Sequence, residues 1–138
     1  MILTNRKITS RPSKQRKTIW NASGPGRNRL LSAPLSSGLQ TRHGTKSLPV
    51  RKGDTVKIVR GDFTGVEGKV SEVDRNRSRL YVEGVTRDKV SGTSTKMSVH
   101  PSKVQITNLS LGDRWRSKSI EKRKGVSTPE TETKEGVK

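Results

Sequence analysis

The chain contains no cysteine, which excludes a disulfide framework, a cysteine-ligated zinc ribbon and a thiol nucleophile. Aromatic residues make up only 3% of its 138 residues: two Trp, one Tyr and one Phe. Hydrophobic residues of all kinds reach 26%, too few at high net charge for a chain that folds along its whole length. No run of about 18 apolar residues occurs, so no transmembrane helix is expected. Residues 1–20 lack the apolar centre of a secretory signal. Their acid-free, Arg- and Ser-bearing composition matches a transit peptide, but it serves an RNA-binding arm equally well. Pro12, Gly24, Pro25 and Gly26 would break the long amphipathic helix that a transit peptide forms. Acids are absent from residues 1–49, and His43 and His100 are the only histidines.

What the chain does have is positive charge. Thirty Lys+Arg against twelve Asp+Glu give a formal net charge of +18, and the isoelectric point is near 11.2. A field of that sign raises affinity and association rate for polyanions, which makes nucleic acid the default partner. A membrane surface would require a basic amphipathic helix with a strong apolar face, or a lipidation signal. Neither is present, and no membrane partner is expected.

The charge is unevenly spread. Residues 1–49 carry ten Lys/Arg and no acid, residues 50–111 carry twelve and seven, and residues 112–138 carry eight and five. The middle segment also holds 19 of the 36 hydrophobic residues, which marks it as the folded part. This divides the chain into a basic arm (1–47), a folded domain (48–111) and a C-terminal tail (112–138), basic at first and then mixed in charge. Within the arm, Ser13 to Trp20 is read as a short basic helix. Ser32-Ala33-Pro34-Leu35 is read as the start of a second, which Gly44 ends. From Lys124 onward the Gly-, Thr-, Glu- and Lys-rich sequence is read as disordered.

The middle segment alternates with the period of a strand. Val56 and Ile58, Val66 and Val70, Leu80 and Val82, Met97 and Val99, and Val104 and Ile106 each mark one face, with polar residues between them. The pattern predicts about five short strands, with turns at Gly61-Asp62, Asp74 to Ser78 and Gly92. One-sided apolar faces at close spacing predict an all-β fold, a small closed or nearly closed antiparallel barrel. Below roughly 70–80 residues a single core seldom supplies more than about 3–5 kcal/mol, so the free protein should be marginal and gain stability from its partner.

The stretch Arg51 to Val70 joins a fold signal to a partner signal. Two Val-bearing strands flank a turn containing Gly61, Phe63 and Gly65, with Gly68 beyond it and cations outside. Glycines permit positive φ and close approach of backbone to a phosphate, but they also serve ordinary turns and bulges. Arg51 to Val73 resembles a KOW motif, and the wider run to Leu109 resembles the universal large-subunit ribosomal protein family numbered twenty-four in bacteria and archaea. Leu48 to Asp54, Val59 to Gly65 and His100-Pro101-Ser102-Lys103 read like its archaeal and eukaryotic branch, as does the arm around Ser13 to Lys17 and Ser32 to Ser36.

The resemblance spans roughly residues 10 to 111. It implies an SH3-like barrel in the cytoplasmic ribosome, binding large-subunit rRNA early in assembly near the peptide exit tunnel and beside neighbouring ribosomal proteins. It implies no catalysis, cofactor, metal, small-molecule substrate or homo-oligomer. The rRNA-binding candidates are Arg11, Lys14, Arg16, Lys17, Arg27 and Arg29 in the arm, and Arg51, Lys52, Arg60, Gly61, Phe63, Gly65 and Lys69 around the motif. Arg75, Arg77 and Arg79 lie at the next hairpin, and His100, Ser102 and Lys103 follow. Arginine forks suit phosphate, and A-form duplexes are read by shape, phosphate and 2′-OH. Phe63 is read as stacking on a base or packing at the barrel rim. Trp20 and Trp115 are read as stacking on a base or docking on protein.

Two other classes compete with this reading. A regulatory module of the transcription elongation type shares the KOW motif, but it usually brings a preceding α/β domain. An RNA-processing enzyme would need a metal-binding spacing that Asp54, Asp62, Glu67, Glu72, Asp74, Glu83 and Asp88 do not show. Those acids are read as balancing charge on the barrel surface.

Overall fold

The structure is a computed structural model that describes residues 9–124. Helix α1 (Pro12–Trp20) and helix α2 (Gly24–Leu30) lead into strand β1 (Ser32–Pro34), helix α3 (Ser37–His43) and strand β2 (Ser47–Pro49). Strands β3 (Thr55–Ile58), β4 (Glu67–Asp74), β5 (Arg79–Asp88) and β6 (Ser94–Val99) follow. A 3-10 turn (Pro101–Lys103), strand β7 (Val104–Asn108) and helix α4 (Arg114–Lys124) complete the chain.

β3 to β7 are the five strands that the alternation predicts. They form one antiparallel sheet in the order β6-β5-β4-β3-β7. Alternation turns Val56, Ile58, Val70, Leu80, Val82, Val104 and Ile106 inward, each at most 3% exposed. β4 pairs with β3 through Glu67, Gly68 and Lys69 and with β5 from Val70 onward, so it bends between two partners. Gly68 makes this crossing sterically feasible. A Cβ there would sit 2.5 Å from the Glu83 carbonyl oxygen and 2.8 Å from a Val82 methyl.

The all-β expectation is corrected: among the described residues the fold mixes four α-helices with antiparallel sheets. Closure is corrected too, because no ladder joins the edge strands β6 and β7 among the described residues. The 3-10 turn links them instead, and its first residue, Pro101, is buried.

The second arm helix starts later than predicted. Ser32–Pro34 is a strand paired with β2, Ala33 opposite Leu48. Tertiary pairing overrides the local N-cap signal because it buries Leu31, Ala33 and Leu35 in the main core. Leu35 bridges Ile106 on β7, and the Ser36 N–H donates to the Ile106 carbonyl at 2.9 Å. Helix α3 then runs from Ser37 and ends, as expected, on Gly44 in the left-handed conformation at φ +63. α1 matches its prediction within a residue.

Helix α4 has little apolar surface and is held by an ion pair. Arg116 donates from Nη1 to Asp54 Oδ1 at 2.6 Å and from Nη2 to Asp54 Oδ2 at 2.7 Å. The two side chains are 6% and 0% exposed. Asp54 also accepts the N–H groups of Arg51 at 2.8 Å and Ser110 at 2.9 Å, while Arg116 reaches the carbonyls of Ser110 and Pro49 at 3.0 and 3.2 Å. The reading of Asp54 as surface charge is therefore corrected. The tail read as disordered lies, apart from Lys124 in α4, outside the described residues.

Candidate nucleic-acid interface

The predicted cations fall on three faces. On the arm, Arg11, Lys14, Arg16 and Lys17 are all exposed, and α1 buries none of its residues. A hollow of about 680 Å³ between α1 and α2 is lined by Lys14, Lys17 and Arg29, among others. Arg27 is half-buried and also makes contacts within the fold. Its Nε donates to the Ala22 carbonyl at 3.0 Å and its guanidinium bonds the Asn76 side chain, tying α2 to the β4–β5 hairpin.

The second face is a groove of about 1030 Å³ between α2, β2, the sheet and α4. Leu31, Leu48, Val50 and Ile120 contribute apolar lining, and Arg51, Lys52, Arg75, Lys96 and Arg123 contribute cations. Arg51 pairs with Asp113 at the surface, which offsets part of its charge. Lys69 lies beside this face: its Cε would be 3.9 Å from a Cβ on Gly53, in the turn that carries Lys52.

The third face is a corner where the β3–β4 turn meets the 3-10 turn. The Val59 N–H donates to the Lys103 carbonyl at 2.8 Å, drawing Arg60 and Gly61 against Lys103. Gly61 at φ +106 and Gly65 at φ +92 are both left-handed, so the glycines are required by the turn itself. The His100 Nδ1 lies 2.8 Å from Ser102 Oγ and accepts the Ser102 N–H at 3.3 Å, capping the 3-10 turn. Burial, then the charges of Arg79 and Lys103, hold the His100 pKa below its ordinary value of 6.5. Burial and the two neighbouring cations thus both disfavour the protonated imidazole.

The hairpin arginines do not form one patch. Asp74 Oδ1 accepts the N–H groups of Asn76 and Arg77, shaping the tip. Arg75 lines the groove, Arg79 acts on His100, and Arg77 is exposed at the tip. Phe63 is half-buried against the core, so rim packing is the arrangement observed. Trp20 and Trp115 are 80% and 81% exposed.

Sequence reasoning missed Lys96 and Arg123 in the groove and the Asp54–Arg116 pair behind it. Asp54 had a signal: it shares the parity of Val56 and Ile58, and therefore their inward face. Arg116 had none, since its partner lies 62 residues away.

A small antiparallel sheet and a helical arm that together carry exposed cations on three faces have the build of a nucleic-acid-binding protein. Residues 9–123 match the family that comprises ribosomal protein L26 of eukaryotes and its archaeal counterpart L24, and the chain belongs to that family. It is 49% identical over 120 residues to the large ribosomal subunit protein uL24 of Korarchaeum cryptofilum, covering 87% of this chain and 91% of that protein. It is 48% identical over 117 residues to the large ribosomal subunit protein uL24 of Sulfolobus acidocaldarius, covering 85% and 87%.

Proposed function

We infer that this chain is a structural constituent of the large ribosomal subunit, of the archaeal type, that binds large-subunit rRNA. Family membership across residues 9–123 carries the reading, and a net charge of +18 supplies the physical means. The protein works in the cytoplasm as part of the ribosome and has no catalytic task. Its fold is the SH3-like barrel of KOW domains, opened at the β6–β7 edge. The domain of residues 48–111 is the rRNA-binding body, residues 1–47 the basic arm and residues 112–138 the tail.

Arm, groove and corner each take a separate stretch of rRNA backbone, so that one small protein holds several helices together. Arg11, Lys14, Arg16, Lys17 and Arg29 act from the arm. Arg51, Lys52, Lys69 and Arg75 act from the groove side. Arg60, Arg79, His100, Ser102 and Lys103 act from the corner, where Gly61 and Gly65 let a phosphate approach the backbone. Neighbouring ribosomal proteins complete the setting, near the peptide exit tunnel and from an early stage of assembly, and the chain enters as a single copy.

The test is capture of the tagged chain from its own cells at moderate salt, followed by sequencing of the RNA that comes with it. Enrichment of large-subunit rRNA from one defined region is expected. Nascent transcripts with polymerase subunits, and no intact rRNA, would replace this reading with that of an elongation module.

A further inference from the structure

Helix α4 has two sides of opposite character. Arg116 and Ile120, four residues apart, face the core and are buried. On another side, Trp115 is 81% exposed, and Lys118 and Lys122, both exposed, follow three and seven residues later on the same stripe. Arg114, also exposed, precedes Trp115 and lies about 100° round from it. The one acid of the helix, Glu121, lies about 120° round from Trp115 at 3.6 residues per turn. Among the described residues, none of Arg114, Lys118 and Lys122 makes an ion pair.

An indole left in water on a helix surface forgoes the free energy of covering a large ring. Trp20 is equally exposed, but its helix buries no residue. Trp115 differs in how firmly its base is held. Its N–H donates to Asp113 Oδ1 at 2.9 Å, and Asp113 pairs with Arg51. The next residue, Arg116, is locked to Asp54 through two bonds of 2.6 and 2.7 Å. The ring is thus presented from an ordered backbone, which lowers the ordering cost of binding.

We propose that Trp115 is a stacking platform for an unpaired RNA base, with Arg114, Lys118 and Lys122 holding phosphates along one side of it. The proposal rests on the reading of the chain as an rRNA-binding protein. Charge selects the occupant, which must be anionic and offer a flat apolar face to a cation-flanked ring. Duplex RNA supplies phosphates but keeps its base faces in the stack, so the fit is to a bulge, a loop or an end. A protein partner would have to bring acids to three cations as well as an apolar patch to the ring.

The experiment uses the full chain carrying Trp20→Phe, so that Trp115 is its sole tryptophan. The probe is deproteinised large-subunit rRNA from the cells that make the chain, followed by filter binding and tryptophan emission. Binding with quenched emission is expected. Adding Trp115→Ala should weaken binding by between about 5-fold and 150-fold, the range set by one stacked base, whereas Trp115→Phe should keep most of the affinity. A urea melt of the Trp115→Ala chain should match its parent, because the side chain makes no core contact. Binding with unchanged emission and unchanged affinity on Trp115→Ala overturns the stacking role. So does emission that alters only in reconstituted subunits and not on naked rRNA, since a neighbouring protein then covers the ring. Failure of every variant to bind rRNA overturns the ribosomal reading itself.

Discussion

At the scale of the residue, buried charge decides more than exposed charge. Asp54 and Arg116 share two hydrogen bonds inside the fold, and each satisfies further backbone groups. Removing one partner leaves the other buried and uncompensated, a loss of about 3–5 kcal/mol, whereas replacing both by apolar residues of similar volume is often near neutral. Asp54→Ala should therefore largely unfold so small a domain, and Asp54→Leu with Arg116→Leu should recover much of the loss. Urea midpoints check this, and equal losses in the two proteins would mean that charge is not the issue. Gly68 acts through space alone. Gly68→Ala puts a methyl against the Glu83 carbonyl and should cost about 1–3 kcal/mol in the same assay. His100 adds a dependence on pH. Its folded pKa lies below the ordinary 6.5, so the unfolded chain takes up the proton more readily. Stability should fall as pH drops through about 6.5 and level off once pH is below the folded value. His100→Asn, which keeps an acceptor for the Ser102 N–H, should flatten that part of a stability–pH curve.

At the scale of the element, the five strands were legible because each is long enough to alternate against water. β1 and β2 are three residues each, too short for a period, and their pairing depends on a core built by distant strands. The Ser-Ala-Pro of β1 even carries a helix-start signal that tertiary pairing defeats. α4 was illegible because an arginine does the burying: Arg116 and Ile120 replace the apolar stripe that periodicity would detect. Of the interface, the cationic residue types were readable, but their division among faces was not, since it follows from how β4 bends and where the hairpin points. That division makes a prediction for the β4–β5 hairpin. Arg75, Arg77 and Arg79 are exposed and point to different faces, so exchanging all three for Glu should weaken rRNA binding and leave the urea midpoint unchanged. Loss of fold in that variant would show that the tip is structural.

At the scale of the whole molecule, the C-terminal part of the arm contributes to the core of the sheet. Leu31, Ala33 and Leu35 lie in the same core as Val56 and Ile106, so cutting away residues 1–47 would remove part of the core along with the charge. A cut before Ser23 is cleaner. It removes α1 and six cations, Arg6, Lys7, Arg11, Lys14, Arg16 and Lys17, and α1 buries none of its residues. The shortened chain should therefore melt near the temperature of the full chain. Every phosphate the arm no longer neutralises should reduce the slope of log affinity against log salt by roughly 0.7–0.9, taking single- and double-stranded DNA as the guide. If all six cations of residues 1–22 engage rRNA, the slope should fall by about 4–5. An unchanged slope would mean that the arm is not engaged and that groove and corner carry the binding. The same samples test the coupling of binding to folding. A ligand that binds only the folded state adds about 2.7 kcal/mol at about a hundred times its Kd, so rRNA should raise the melting temperature of both chains. At equal rRNA concentration the rise should be smaller for the shortened chain, because its affinity is lower while its core is unchanged.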